Sequence, residues 1–234
     1  MVALDGPSGT GKTTVARKLA DRLSAGYLDT GAMYRMVTLA VLRAGIDPAD
    51  AAAVAGLADG VDLEIGTSPQ RPGFRLGGED VSAEIRGPEV TKAVSPVSAV
   101  PHVRELLVAR QRRIIAEVLG EVGGIVVEGR DIGTVVVPDS PLKVFLTASA
   151  DVRAARRSSQ DTAAGRQSTV ADARESVERR DRLDSSRTAS PLRAAEDAVP
   201  VDTSELSIDQ VIVALCELAS HRGLLAGCSA EAAR

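Results

Sequence analysis

The stretch Val2 to Thr14 reads "VALDGPSGTGKTT". Val2 to Leu4 form a short apolar run that suits a buried strand. Beyond Gly11, the residues Val15, Ala16, Leu19, Ala20 and Leu23 recur on one face at a period near 3.6, the pattern of an amphipathic helix. Between strand and helix, Gly6 to Thr13 fit G-x-x-x-x-G-K-[ST]. In that setting the pattern is a phosphate-binding loop. Gly6, Gly9 and Gly11 allow the backbone to curl with its N–H groups inward. Pro7, Ser8 and Thr10 complete the curl, and Thr14 follows it. The helix start adds a partial positive charge, so the turn is an anion site. Lys12 brings a mobile charge for the outer phosphates of ATP, and the Thr13 hydroxyl is placed to ligate Mg²⁺. Gly6 to Thr14 are therefore the candidate ATP-binding residues. They do not say where the phosphate goes.

Composition narrows the answer. The chain has 234 residues, 44% of them hydrophobic, enough for a real core. Aromatics make up 2%, so Leu, Val, Ile and Ala must fill that core. A net charge of −4 excludes a generally basic nucleic-acid binder. With no Trp, two Tyr and two Phe, the chain also lacks the stacking surface of a single-strand binder. No run of 18 apolar residues marks a membrane span. A strand beginning at Val2 leaves no signal peptide, so a cytoplasmic protein is expected. Cys216 and Cys228 lack metal or C-x-x-C spacing and are expected as unpaired thiols in a reducing compartment. The chain contains no Asn. It cannot carry the N-K-x-D guanine-reading motif, which argues against a GTPase switch.

Working outward from the loop, Tyr27 to Asp29 reads as a second strand and Ala32 to Ala44 as a helix stopped by Gly45. Pro48 to Ala58 reads as another helix. Val61, Leu63, Ile65, Phe74 and Leu76 then alternate across a Gly- and Pro-rich turn, the mark of a small antiparallel insert. Pro101 to Leu119 returns to helix, with His102 at its start in a structural role. Ile125 to Val127 and Lys143 to Leu146 are core strands, and "EGRD" follows the first. "AVPVDT" holds a last strand. Ser207 and Gln210 form a capping box for a final helix that buries Ile208, Val211, Ile212, Leu215 and Leu218. A frayed tail is expected from Gly223. Alternating strands and helices imply an α/β fold with a parallel sheet. Such sheets bind ligands beyond the carboxyl ends of their strands. The phosphate loop, "DTGAMYR" and "EGRD" all follow strands, so they can meet in one crevice.

The chain holds 24 Arg and only 4 Lys, and residues 153–193 carry a local charge of +4. Guanidinium binds phosphate bidentately and stays charged when buried. Two phosphate-bearing substrates would need two such clusters. At this level three readings stand: a nucleotide kinase, a small-molecule kinase of the shikimate or sugar type, and an ATP-binding switch without a small acceptor.

The motifs "GPSGTGKTT", "LDTGAMYR", "GEDVSAEIR", "VRELL", "EGRDIGTVV" and "RRDRLDSSR…SPL" stand in the order and spacing of bacterial cytidylate kinases. Over residues 1–220 or so the chain resembles that family. The resemblance implies a P-loop NTPase-type core (residues 1–56 and 93–222), an antiparallel NMP-binding insert (57–92), a helical lid (about 152–170) and a flexible tail (223–234). It implies transfer of the ATP γ-phosphate to CMP or dCMP by a monomer, with Mg²⁺. Arg35, Arg130 and Arg187 match the positions that hold the acceptor phosphate. Thr30, Arg104 and Asp131 match those reading cytosine, and Ser95, Arg180 and Asp184 those at the ribose. Arg156 and Arg157 match lid arginines. With Lys12, Arg130 and Arg187 they make up the implied catalytic set. Two positions depart from the family pattern: Thr30 stands where many members have Ser, and Glu128 where others have Asp. The acceptor oxygen of CMP is already anionic, so no general base is required. Catalysis then rests on positioning and charge neutralisation.

Overall fold

The computed structural model describes residues 1–166 and 169–224. Its centre is a five-stranded sheet of β1 (Val2–Asp5), β2 (Gly26–Asp29), β6 (Ile125–Glu128), β7 (Leu142–Thr147) and β8 (Val199–Asp202). The strands are parallel and ordered β2-β6-β1-β7-β8. The first four strands are rich in Val, Leu and Ile and largely buried, as strands covered on both faces must be.

Each face is covered by helices whose apolar stripes match it. On one face α1 (Lys12–Arg22) and α8 (Ile208–His221) pack Leu19 and Leu215 against Leu4, Val144 and Leu146. On the other, α2 (Thr30–Arg43), α4 (Pro88–Ala99) and α5 (Pro101–Val122) pack Met33, Met36, Val97 and Leu107 against Leu28 and Val127. A second sheet, β3 (Leu63–Ile65), β4 (Phe74–Leu76) and β5 (Glu79–Asp80), is antiparallel. It follows α3 (Ala51–Ala58), and its Leu63 and Phe74 join the same core. A helical hairpin, α6 (Ala150–Ala163) and α7 (Val170–Ser185), carries the Arg-rich segment.

Several elements differ from the sequence expectation. Helix α4 has no counterpart there. It starts with Pro88 in its first turn, where a missing N–H costs nothing, and tolerates Pro96 inside. Helix α3 begins at Ala51 rather than Pro48, because the Asp50 side chain accepts the N–H groups of Ala52 and Ala53 and caps it there. Asp29 caps Ala32 in the same way, so α2 starts at Thr30. The Ser207–Gln210 capping box is present. Ile208, the first residue of α8, is exposed, however; Val211, Ile212, Leu215 and Ala219 form its buried stripe, with Leu218 half-buried. Cys228 and tail residues 225–234 lie outside the described residues. Among the described residues no helix is long and apolar enough to cross a membrane.

Candidate active site

Because β2, β6 and β1 are neighbours, the segments after them lie side by side at one edge of the sheet. Leu4, Glu128 and Asp29 stand level across the three strands. The phosphate loop, the start of α2 and the Gly129–Asp131 loop thus form the floor of one cleft, and α4, α5, α6 and α7 its walls. The phosphate loop is packed tightly from behind. Gly6 has φ +148°, and a Cβ there would strike the Leu146 carbonyl. That position therefore demands glycine.

The cleft is lined by eight cationic side chains and four carboxylates. Lys12 is buried, and its Nζ donates to the Pro7 carbonyl at 2.7 Å. Burial, followed by the Arg130 guanidinium, pushes its pKa well below that of a free lysine. Burial and Arg130 likewise lower Arg180 to about 10. Arg35 is lowered by burial and by Arg180 and Arg86. Cations that depress one another in this way are held together against repulsion, and an arriving polyanion relieves it. The Nε atoms of Arg104, Arg180 and Arg187 are buried without a hydrogen-bond partner among the described residues.

Asp184, 0% exposed, is the hub of the arginine cluster. Arg130 Nε donates to it at 3.0 Å, Arg187 is hydrogen-bonded to its other oxygen, and Arg180 lies 3.8 Å away. Burial raises its pKa, but the three guanidinium groups prevail and hold it below the usual carboxylate range. Arg130 also donates to the Gly6 carbonyl at 2.8 Å, joining the cluster to the phosphate loop. Arg35 donates to the Ile85 carbonyl and the Thr91 hydroxyl. At the far end, Arg104 and Asp131 form a buried ion pair. Arg104 also donates to the Ser98 carbonyl at 3.1 Å and stacks over the Tyr34 ring at 5.3 Å. The Thr30 hydroxyl donates to the Glu128 carbonyl at 2.7 Å, with its side chain in the cleft wall.

Thr13 donates to Glu128 Oε2 at 3.1 Å, and the Tyr27 phenol donates to Oε1 at 2.5 Å. Burial, then the nearby Asp29 charge, raises Glu128 to about 7. No group of three or more His, Cys, Asp or Glu suited to a metal occurs among the described residues. A hydroxyl beside a carboxylate still fits Mg²⁺, which takes one or two protein oxygens and completes its shell with water and phosphate.

Most of the expected site residues share this cleft. Lys12, Thr13, Thr30, Arg35, Arg104, Arg130, Asp131, Arg157, Arg180, Asp184 and Arg187 line it, as do Ser8, Gly9, Gly11 and Thr14 of the loop. Two lie elsewhere. Ser95 is buried in α4 and does not line the cleft; Ser98, one turn on, does, and it accepts from Arg187 at 2.8 Å. Arg156 turns away from the cleft. It donates to the Thr203 hydroxyl at 2.9 Å, to the Thr203 carbonyl at 2.7 Å and to the Thr10 carbonyl at 3.4 Å. Arg157 faces inward, tied to Asp161 at 3.2 Å. Arg86 and Tyr34 also line the cleft, and Arg86 pairs with Asp29 at 3.0 Å. Neither was singled out in the sequence. The available signal was that both fall inside the motifs "GEDVSAEIR" and "LDTGAMYR".

A family model described as cytidylate kinase matches residues 2–221. The chain is 59% identical over 222 residues to the cytidylate kinase of Rhodococcus jostii (strain RHA1), covering 95% of each chain. It is 57% identical over 226 residues to that of Mycolicibacterium paratuberculosis, covering 97% of each. With that of Corynebacterium glutamicum it shares 57% identity over 218 residues, 93% of each.

Proposed function

The chain belongs to the cytidylate kinase family, and from that premise we infer the reaction carried out in the cleft. The enzyme transfers the γ-phosphate of ATP to CMP or dCMP, giving ADP and CDP or dCDP. The observation that carries this reading is the joining of a phosphate loop, an arginine cluster and the Arg104–Asp131 pair in one cleft. Each suits a different part of the two substrates.

In this reading the loop from Gly6 to Thr14 holds the ATP phosphates, and Arg35, Arg130 and Arg187 hold the phosphate of CMP. Arg180, Asp184 and Ser98 lie toward its ribose. Asp131 accepts from the cytosine N4 amino group, as carboxylates do when they read that base. Arg104 donates to N3 or O2, and the Thr30 hydroxyl bounds the pocket. The attacking phosphate oxygen is anionic, so no side chain removes a proton. Lys12 and Arg157 spread the charge that builds on the transferring group. Thr13, backed by Glu128 and Tyr27, would hold Mg²⁺, and the ion would supply positive charge against the phosphates of the bound nucleotide.

Residues 57–92 act as the insert that closes over CMP, and the α6–α7 hairpin, within about 152–170, as the lid that closes over ATP and keeps water out. Residues 167–168 of that lid lie outside the described residues. Every proposed substrate contact comes from one chain, so a monomer suffices. We place the enzyme in the cytoplasm, where both nucleotides are present.

³¹P NMR of the enzyme with ATP, Mg²⁺ and CMP tests the reading. CDP and ADP should appear in equal amounts. ADP accompanied by inorganic phosphate, with CMP unchanged, would overturn it.

A further inference from the structure

Asp5 ends β1 one residue before the phosphate loop, yet its side chain serves a different loop. It is 5% exposed. Its Oδ1 accepts the N–H of Ile132 at 2.9 Å, and its Oδ2 accepts the N–H of Gly133 at 2.8 Å. Those are the first two N–H groups of a single wide helical turn, Ile132–Val136. Such groups have no partner within the turn and need one from outside. The residue that precedes the turn, Asp131, does not cap it. Its carboxylate is turned instead to Arg104.

The arrangement resembles an N-cap whose side chain comes from a neighbouring strand. Because Asp5 does the capping, Asp131 is released for the cleft, and the backbone on its carboxyl side is held at two points. The fit is close on the far side as well. A Cβ at Gly133 would lie 3.1 Å from the Lys143 side chain and 3.5 Å from Asp5 Oδ2. The charged groups that act on Asp5 are Asp131 and Lys12, and the Lys143 side chain packs on the other side of Gly133.

We propose that Asp5 is a positioning residue for base recognition: by capping the 132–136 turn, it fixes the Asp131 carboxylate. It thereby joins the strand that leads into the ATP loop to the loop that reads the acceptor. This rests on the assignment of Asp131 to cytosine given above. Asp5 itself touches neither substrate.

The test is Asp5→Asn, whose amide keeps one acceptor and sets a donor against the second N–H. Steady-state kinetics with CMP, UMP and ATP would be run on the variant and the wild-type enzyme, with calorimetric titration of CMP and of ATP alongside. The KM and Kd for CMP should rise about tenfold, the scale of one buried hydrogen bond lost. The CMP-to-UMP ratio of kcat/KM should fall by a similar factor. The KM and Kd for ATP should stay within about twofold of wild type, a change too small to matter on that scale. An unchanged CMP-to-UMP ratio, or equal losses for CMP and ATP, would overturn the proposal. If Asp5→Asn does not fold, Gly133→Ala replaces it, since its methyl group would crowd the Lys143 side chain at 3.1 Å and shift the turn that Asp5 caps. The same split is expected, and an unchanged ratio again overturns the proposal. A wild-type enzyme without preference for CMP over UMP would instead contradict the base assignment itself.

Discussion

Arg104 on α5 and Asp131 after β6 are paired side by side in the cleft wall, each side chain 6% exposed. Removing one partner of such a pair strands a buried charge, at a typical cost of about 3–5 kcal/mol. Asp131→Asn is the milder change, because the amide still accepts from Arg104. With UMP, a carboxylate facing O4 sets acceptor against acceptor, and N3–H points at a guanidinium. Unpaired groups of that kind cost about 1–3 kcal/mol each. CMP should therefore exceed UMP by at least about 10²-fold in kcat/KM. Asp131→Asn should narrow the ratio, mainly by losing CMP activity. Equal fractional losses for the two nucleotides would show that Asp131 does not read the base.

Lys12 is a buried cation whose pKa is lowered by burial and by Arg130. Its charge is a liability until phosphate arrives. Lys12→Ala should lower kcat by roughly 10²–10³, the worth of one contact that strengthens in the transition state. The substrate-free protein should melt no lower than wild type, since a repulsive charge has been removed. A variant with the wild-type turnover rate would leave Lys12 without a catalytic role.

Arg156 and Arg157 are neighbours in sequence with different tasks. Arg157 lines the cleft, whereas Arg156 is tied to Thr203 and to the back of the phosphate loop at Thr10. Arg157→Ala should lower kcat more than it raises the KM for CMP, the signature of a contact made in the transition state. Arg156→Ala should act chiefly on the KM for ATP. A kcat loss in Arg156→Ala as large as that in Arg157→Ala would contradict this division.

Burial raises Asp5 to about 6 against the usual 3.8, with Asp131 adding to the rise and the two N–H groups and Lys12 opposing it. Between these values the folded protein holds a proton that the unfolded chain has lost. Stability contributed by this group therefore falls as pH rises through the window and levels off above it. Asp5→Asn does not titrate. From pH 5 to pH 7.5 the wild-type Tm should thus fall by about 2–4 °C relative to the variant, the shift expected for about 1 kcal/mol in a chain of this size. Scanning calorimetry of both proteins checks it, and parallel Tm curves would show that Asp5 does not titrate in the window.

The parts of the fold written locally were legible in the sequence. The phosphate loop is a contiguous pattern, and the 207–210 capping box acts over three residues. Helix α4 was obscured by Pro96 and its serines, although Pro88 and the spacing of Val90, Val94 and Val97 mark its first turn and buried face. The placement of β6 between β2 and β1 depends on pairing across about a hundred residues, which no local pattern encodes. The motifs brought the right segments together, but not the direction of each side chain. Successive residues on a helix point about 100° apart, which is why Arg157 enters the cleft while Arg156 leaves it. Ser95 and Ser98 are one turn apart on α4, and only the packing of that helix against Arg104 and Arg187 selects Ser98.

The most direct measurement is kcat/KM from ADP release with ATP and Mg²⁺ across CMP, dCMP, UMP, AMP, GMP, shikimate and a panel of sugars. CMP and dCMP should lead the series, with UMP lower by at least about 10²-fold and the non-nucleotides at background. Strong turnover with a non-nucleotide, or equal turnover with all the monophosphates, would contradict the assignment of this cleft to cytidine nucleotides.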